Sequence, residues 1–188
     1  MVGLGGEGLS CARAFLAEEG RALNWAVYSY RFEEGSQTAV LDALQTYQNR
    51  DGGFGHALEP DVRVPSSSAL ATGIALGLLN EADCSGDHPM VQGALSYLLD
   101  TLCAEQAVWR VVPEDTNDYP HAPWWHDEQD SLAKTFDGYT VVPRAELLAH
   151  LYVFSSTGGI SRDWLDELAE RTVGDIERLD TLGEGGGD

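Results

Sequence analysis

The chain has 188 residues, 43% of them hydrophobic, and carries 31 acidic against 11 basic side chains for a formal charge of −20. That length suits one domain with a real core, and no apolar run approaches the roughly 20 residues that a membrane span needs. So acidic a surface repels phosphate backbones and anionic head groups, which excludes nucleic acid and lipid as expected partners.

Met1 to Ser10 is glycine-rich and lacks the basic and apolar stretches of a signal peptide. Residues 1–8 and 183–188 are expected to be flexible ends of a single domain spanning 1–188. Cys11, Cys84 and Cys103 are odd in number and widely spaced, which argues against a disulfide framework or a zinc ribbon. Cys11 and Cys103 fall in helical patterns and read as small buried hydrophobes. A reducing, cytoplasmic setting fits this usage.

Apolar residues at 9, 12, 15 and 16 have helical spacing, and Ala22 to Phe32 puts Trp25, Tyr28 and Phe32 on one face. Ser36 is placed to cap a helix running to about Tyr47, with Val40, Leu41 and Leu44 inward. Asn49 to Pro65 is a long loop, turned by Asp51-Gly52-Gly53 and kept from helix by Pro60 and Pro65. Ser66, Ser67 and Ser68 offer caps for Ala69 to Glu81, which is apolar on nearly every side and so reads as a buried helix. Pro89 opens the next helix, through about Cys103. Ala104 to Val142 is the longest irregular region, and irregular segments of that length are often functional when ordered. Pro143 starts a helix to about Ser155, and Arg162 to Leu179 is a last amphipathic one. Only Trp109 to Val112 and Tyr139 to Val142 look β-like.

One unit recurs. Leu44 to Phe54 ends a helix, turns on glycine and delivers an aromatic, and a fainter copy follows 55 residues later. Leu99 matches Leu44, Trp109 matches Phe54, and Ala94-Leu95 match Ala39-Val40. The order of outer helix, glycine–aromatic loop and buried helix predicts an all-α array of antiparallel hairpins in two layers.

This pattern resembles the α/α-toroid superfamily of terpenoid cyclases and protein prenyltransferases, whose repeat spaces an aliphatic residue, Gln, Gly and Trp. Leu44, Gln48, Gly52 and Phe54 fit it, with Phe for Trp; in the second copy Cys103 replaces Gln and Ala107 replaces Gly. The chain is also similar to a set of bacterial proteins of that superfamily. The strings that carry the likeness are Tyr47-Gln48-Asn49-Arg50-Asp51-Gly52-Gly53-Phe54-Gly55-His56, Leu58-Glu59-Pro60-Asp61 and Asn117-Asp118-Tyr119-Pro120-His121-Ala122-Pro123-Trp124-Trp125. The resemblance implies a structural role for Gln48 and its aromatic. A closed toroid of that superfamily uses more hairpins than this chain holds, so the expectation is an incomplete toroid, either an open arc or one completed by oligomerising. The resemblance leaves a terpene-cyclase-like lyase or isomerase as the enzyme expectation, without the class II acid motif. The nearest string to the D-x-D-D acid motif, Asp115-Thr116-Asn117-Asp118, has Asn where the proton-donating Asp would stand, and an amide cannot replace that acid.

Two loops concentrate polar and aromatic side chains: Gly55 to Asp61, and Asp115 to Asp127. As equivalent loops of successive repeats they should emerge at one end. His56, Glu59, Asp61, Asp118 and His121 are therefore the acid/base candidates, with Phe54, Trp109, Trp124 and Trp125 shaping an apolar site. Trp124 or Trp125 equally suits a plug at the end of the core, and Asp51 a turn. Arg63 and Arg110 are expected to pair with nearby acids. No H-x-x-H or H-E-x-x-H spacing assigns a metal or cofactor. The expected function is to bind or transform a hydrophobic small molecule in an inner cavity. The alternative is a non-catalytic module whose arc packs on a partner or in a homo-oligomer.

Overall fold

The computed structural model describes residues 6–105, 107–128, 141–157 and 159–178, with backbone alone at 141 and 142. Among these the protein is all-helical, with seven α-helices, two short 3-10 turns and isolated bridges in place of strands. Residues 183–188 lie outside the described part. The chain forms two compact units, Met1–Thr46 and Tyr47–Asp188.

The first unit holds α1 (Gly6–Glu19), α2 (Ala22–Phe32) and α3 (Gln37–Gln45). Gly6 to Gly8, expected at a flexible end, already belong to α1. The reversal after α1 needs Gly20, where a Cβ would meet the Leu16 carbonyl oxygen at 2.5 Å. Ser36 caps α3 as its position predicts, its hydroxyl accepting from the Ala39 amide at 3.2 Å. Leu23 and Ala26 of α2 and Val40 and Leu44 of α3 are buried, whereas α1 buries none of its residues. Trp25, Tyr28 and Phe32 form a ladder with ring centroids 5.8 and 5.4 Å apart.

The second unit is built on α4 (Ala69–Glu81), which packs against α5 (Pro89–Thr101) and α6 (Val141–Phe154); α6 packs in turn on α7 (Arg162–Glu177). The all-round apolar character of α4 is explained by this central place: seven of its residues are buried. Its glycines let α6 approach, a Cβ at Gly73 meeting Leu147 at 3.1 Å and one at Gly77 meeting His150 at 3.5 Å. Of the three candidate serines it is Ser68 that caps α4, accepting from the Ala71 amide at 3.0 Å.

The repeated turn is visible in the backbone. Gly52 (φ 87°) and Ala107 (φ 59°), aligned by sequence, are both left-handed. The helix phase differs from the sequence alignment, however. Leu44 is fully buried, yet Leu99 is 39% exposed and Leu98 takes the interior position. The turns also pair differently: Gln48 bridges Phe54 across five residues, whereas Cys103 bridges Val108 across four. Cys11 and Cys103 are exposed rather than buried, and only Cys84 is an interior thiol. Val111 and Val112 form no strand; they bury with Val62 and Val64 in a satellite cluster. Residues 139 and 140 lie outside the described part.

Candidate functional site

The staple anchors the turn that leads into the candidate site. Gln48 Nε2 donates to the carbonyls of Gly52 (2.9 Å) and Met90 (3.0 Å), tying the turn to the start of α5. Gly52 and Gly93 meet so closely that a Cβ on Gly52 would sit 2.4 Å from the Gly93 carbonyl oxygen. Phe54 is fully buried, and its amide donates to Thr72 Oγ1 of α4 at 3.0 Å. Trp109 is 3% exposed, and its indole N–H donates to the Leu98 carbonyl at 2.7 Å. Both rings are thus consumed by the core and offer no face to a ligand, which removes Phe54 and Trp109 from the expected pocket.

Just beyond the staple the chain turns sharply. His56 (φ 54°) and Ala57 (φ 60°) are consecutive left-handed residues, closed by the Leu58 amide on the Gly55 carbonyl at 3.0 Å, a turn of the I′ kind. His56 Nε2 lies 2.8 Å from Asn49 Oδ1. The Asn49 amide group is oriented by two other contacts, since its Nδ2 donates to the Pro65 carbonyl at 3.0 Å and to Ser67 Oγ at 2.9 Å. A carbonyl only accepts, so Oδ1 must face His56, and His56 must carry its proton on Nε2. The Ser67 hydroxyl in turn donates to Asp51 Oδ1 at 2.8 Å, and the same oxygen accepts from the Gly53 amide at 3.0 Å. Asp51 is the turn residue the sequence suggests, and it also anchors this relay. Glu59 acts locally, accepting from the Asp61 amide at 3.2 Å.

The two candidate loops do come together. The Asp61 carbonyl accepts from the Ala122 amide (2.8 Å), the Arg63 amide donates to the Pro120 carbonyl (3.0 Å), and Val62 bridges His121 in antiparallel fashion. Ser66 adds a bond from its hydroxyl to Asp115 Oδ2 at 2.7 Å. Beyond this seam the second loop is braced from within. Asn117 brackets the backbone of Asp127, donating to its carbonyl (2.8 Å) and accepting from its amide (3.0 Å). The Asp127 carboxylate accepts from Arg110 at 2.7 Å, the acid pairing expected for that arginine. Asn117 thus has a bracing role in place of the proton donor of a D-x-D-D string. Asp118 is exposed in the 3-10 turn Thr116–Asp118.

His121 has a partner the sequence reading missed. Its Nδ1 is 2.7 Å from the Tyr119 carbonyl, and its Nε2 is 3.1 Å from Nδ1 of His126. The ring planes differ by 13° and the centroids are 5.4 Å apart, which equals the N···N gap plus a ring radius at either end. The imidazoles therefore meet head to head in a linear hydrogen bond. Only the i, i+5 spacing across Pro123 hints at this in sequence. The two tryptophans differ: Trp125 packs on the satellite valines, and Trp124 is 50% exposed. Among the described residues no group of three or more His, Cys, Asp or Glu side chains gathers as a metal site. A cleft of about 180 Å³ lies elsewhere, lined by Leu102, Ala104, Ala107, Trp164, Leu168 and Arg171 among others.

No protein-family pattern, curated protein or solved structure matches the chain. No helix among the described residues is long and apolar enough to cross a membrane.

Proposed function

We propose that the chain is a ligand-binding member of the α/α-toroid kind, taking a hydrophobic small molecule at the seam between the loops 55–63 and 115–127. The observation that supports this most is the seam itself, the antiparallel pairing of Val62 with His121. It ties the 121–126 stretch, with its histidine pair and exposed Trp124, to the loop 55–63. A half-exposed tryptophan beside polar groups gives area and orientation to a small apolar ligand. The test is titration of the protein with geraniol or farnesol, followed by calorimetry. Saturable binding that Trp124→Ala weakens about tenfold supports the site; binding indifferent to Trp124, or none, overturns it. Whether a reaction follows is decided by product analysis after prolonged incubation.

A second reading rests on a different observation. In the first unit α1 buries no residue, and Phe15 and Phe32 are 64% and 71% exposed. Exposed large aromatics of this kind favour an assembly module that covers them with a partner or a second copy. Sedimentation equilibrium decides it: a dimer that Phe15→Ser and Phe32→Ser dissociate supports this reading, and a monomer at all concentrations removes self-association.

A further inference from the structure

The polarity of the histidine pair follows from one carbonyl. The Tyr119 oxygen has no proton to give, so His121 carries a proton on Nδ1 and, when neutral, a lone pair on Nε2. His126 must then donate from Nδ1 across the 3.1 Å contact, which leaves the lone pair of the neutral pair on Nε2 of His126. His126 is exposed, and no hydrogen-bond partner for that nitrogen stands among the described residues. It shares the Pro123–Trp125 turn with the exposed Trp124, its amide donating to the Pro123 carbonyl at 3.2 Å. The site thus offers an acceptor of fixed tautomer in the same short turn as an exposed tryptophan.

We infer that the ligand of this site is a hydroxylated apolar molecule, an alcohol or phenol, whose O–H donates to Nε2 of His126 while its hydrocarbon body lies on Trp124. His121 is the positioning residue: it holds His126 in the tautomer that accepts. Proton acceptance from the bound hydroxyl would place His126, not His121, in contact with any reacting oxygen. This inference rests on the binding reading above and adds the class of ligand to it.

The test compares geraniol with geranyl methyl ether, which keeps the hydrocarbon and loses the donor. Native protein should bind the alcohol about tenfold more tightly than the ether, the worth of one good hydrogen bond. His126→Ala should bring that ratio to about one, and His121→Ala should lower the ratio without touching His126. Trp124→Ala should weaken both ligands alike. Equal native affinity for alcohol and ether, or a preference that survives His126→Ala, overturns this inference and leaves apolar binding standing. Failure of both ligands to bind overturns the binding reading and this inference with it. Circular dichroism of each variant checks that the helices remain.

Discussion

Gln48 reaches across 42 residues of sequence to donate to the carbonyl of Met90 in the first turn of α5 at 3.0 Å. The same nitrogen satisfies Gly52. A primary amide can serve two carbonyls because it carries two protons on one nitrogen. This makes the choice of Gln specific, and it turns the loop into a brace between α5 and the turn that precedes α4.

Substituting Gln48 should reveal that specificity. Gln48→Ala leaves two carbonyls short of a donor and should cost about 2 kcal/mol in urea unfolding at neutral pH. Gln48→Glu keeps the shape but sets acceptor against acceptor, and should cost more than Ala at pH 7. Its loss should shrink below about pH 4, where the carboxyl gains a proton to donate. Equal stability of the Glu variant and native protein would remove the brace.

The relation between sequence and structure is uneven, and the reason is physical. Ser36, Ser68, Pro89 and the apolar run of α4 are local signals, and each stands where its chemistry predicts. Phe54 is legible as a staple from its repeat at Trp109, whereas the role of Gln48, which has no counterpart in the second copy, is legible only through the family resemblance. The seam between Val62 and His121 was foreseeable only as a meeting of equivalent loops, since backbone pairing leaves no mark on residue type. The His121–His126 contact was not legible, because a five-residue spacing in a proline-bracketed loop has no fixed geometry until the loop is folded. Leu99 was misplaced for a related reason: the interior leucine stands ten residues before Phe54 but eleven before Trp109, a shift that the constant spacing of the aromatics conceals.

Tyr97 on α5 should mark the alkaline limit of the fold. Burial, with the Asp51 carboxylate adding to it, pushes its phenol up to about 12 from an ordinary value of 10. An acid whose folded pKa is raised holds its proton longer in the native state, so stability is full below about pH 10 and falls as pH rises from there towards 12. Phenolate absorbance should show one tyrosine titrating late, and Tyr97→Phe should remove both that step and part of the alkaline loss. A Phe variant with the native alkaline profile would count against it.

His150 should act at the acid side. It stands on α6 against Gly77 of α4, and burial lowers its pKa, with Glu146 opposing weakly. A histidine whose folded pKa is depressed is protonated more readily when unfolded. Its contribution is therefore complete above the unfolded value of about 6.5 and is lost as pH falls below it. Between pH 7 and 5 the melting temperature of His150→Gln should fall less than that of the native protein. An identical fall in both would place the acid sensitivity elsewhere.

The ion pair between Arg144 and Asp175 should be sharply asymmetric. Arg144 is 1% exposed at its side chain and donates to Asp175 Oδ2 at 2.7 Å and to the Ala107 carbonyl at 3.3 Å, while its Nε has no partner among the described residues. Asp175 is 20% exposed and has a second cation in Arg178 at 3.3 Å. Asp175→Ala leaves a buried guanidinium without its counter-charge and should cost about 3–5 kcal/mol. Arg144→Met removes the buried charge and its unsatisfied nitrogen together, and leaves Asp175 with Arg178 and water. It should cost clearly less than Asp175→Ala, and the double variant Arg144→Met with Asp175→Leu should recover part of the aspartate loss. Urea unfolding of the three variants at neutral pH supplies the comparison; equal costs for the two single variants would show that burial of Arg144 does not govern the pair.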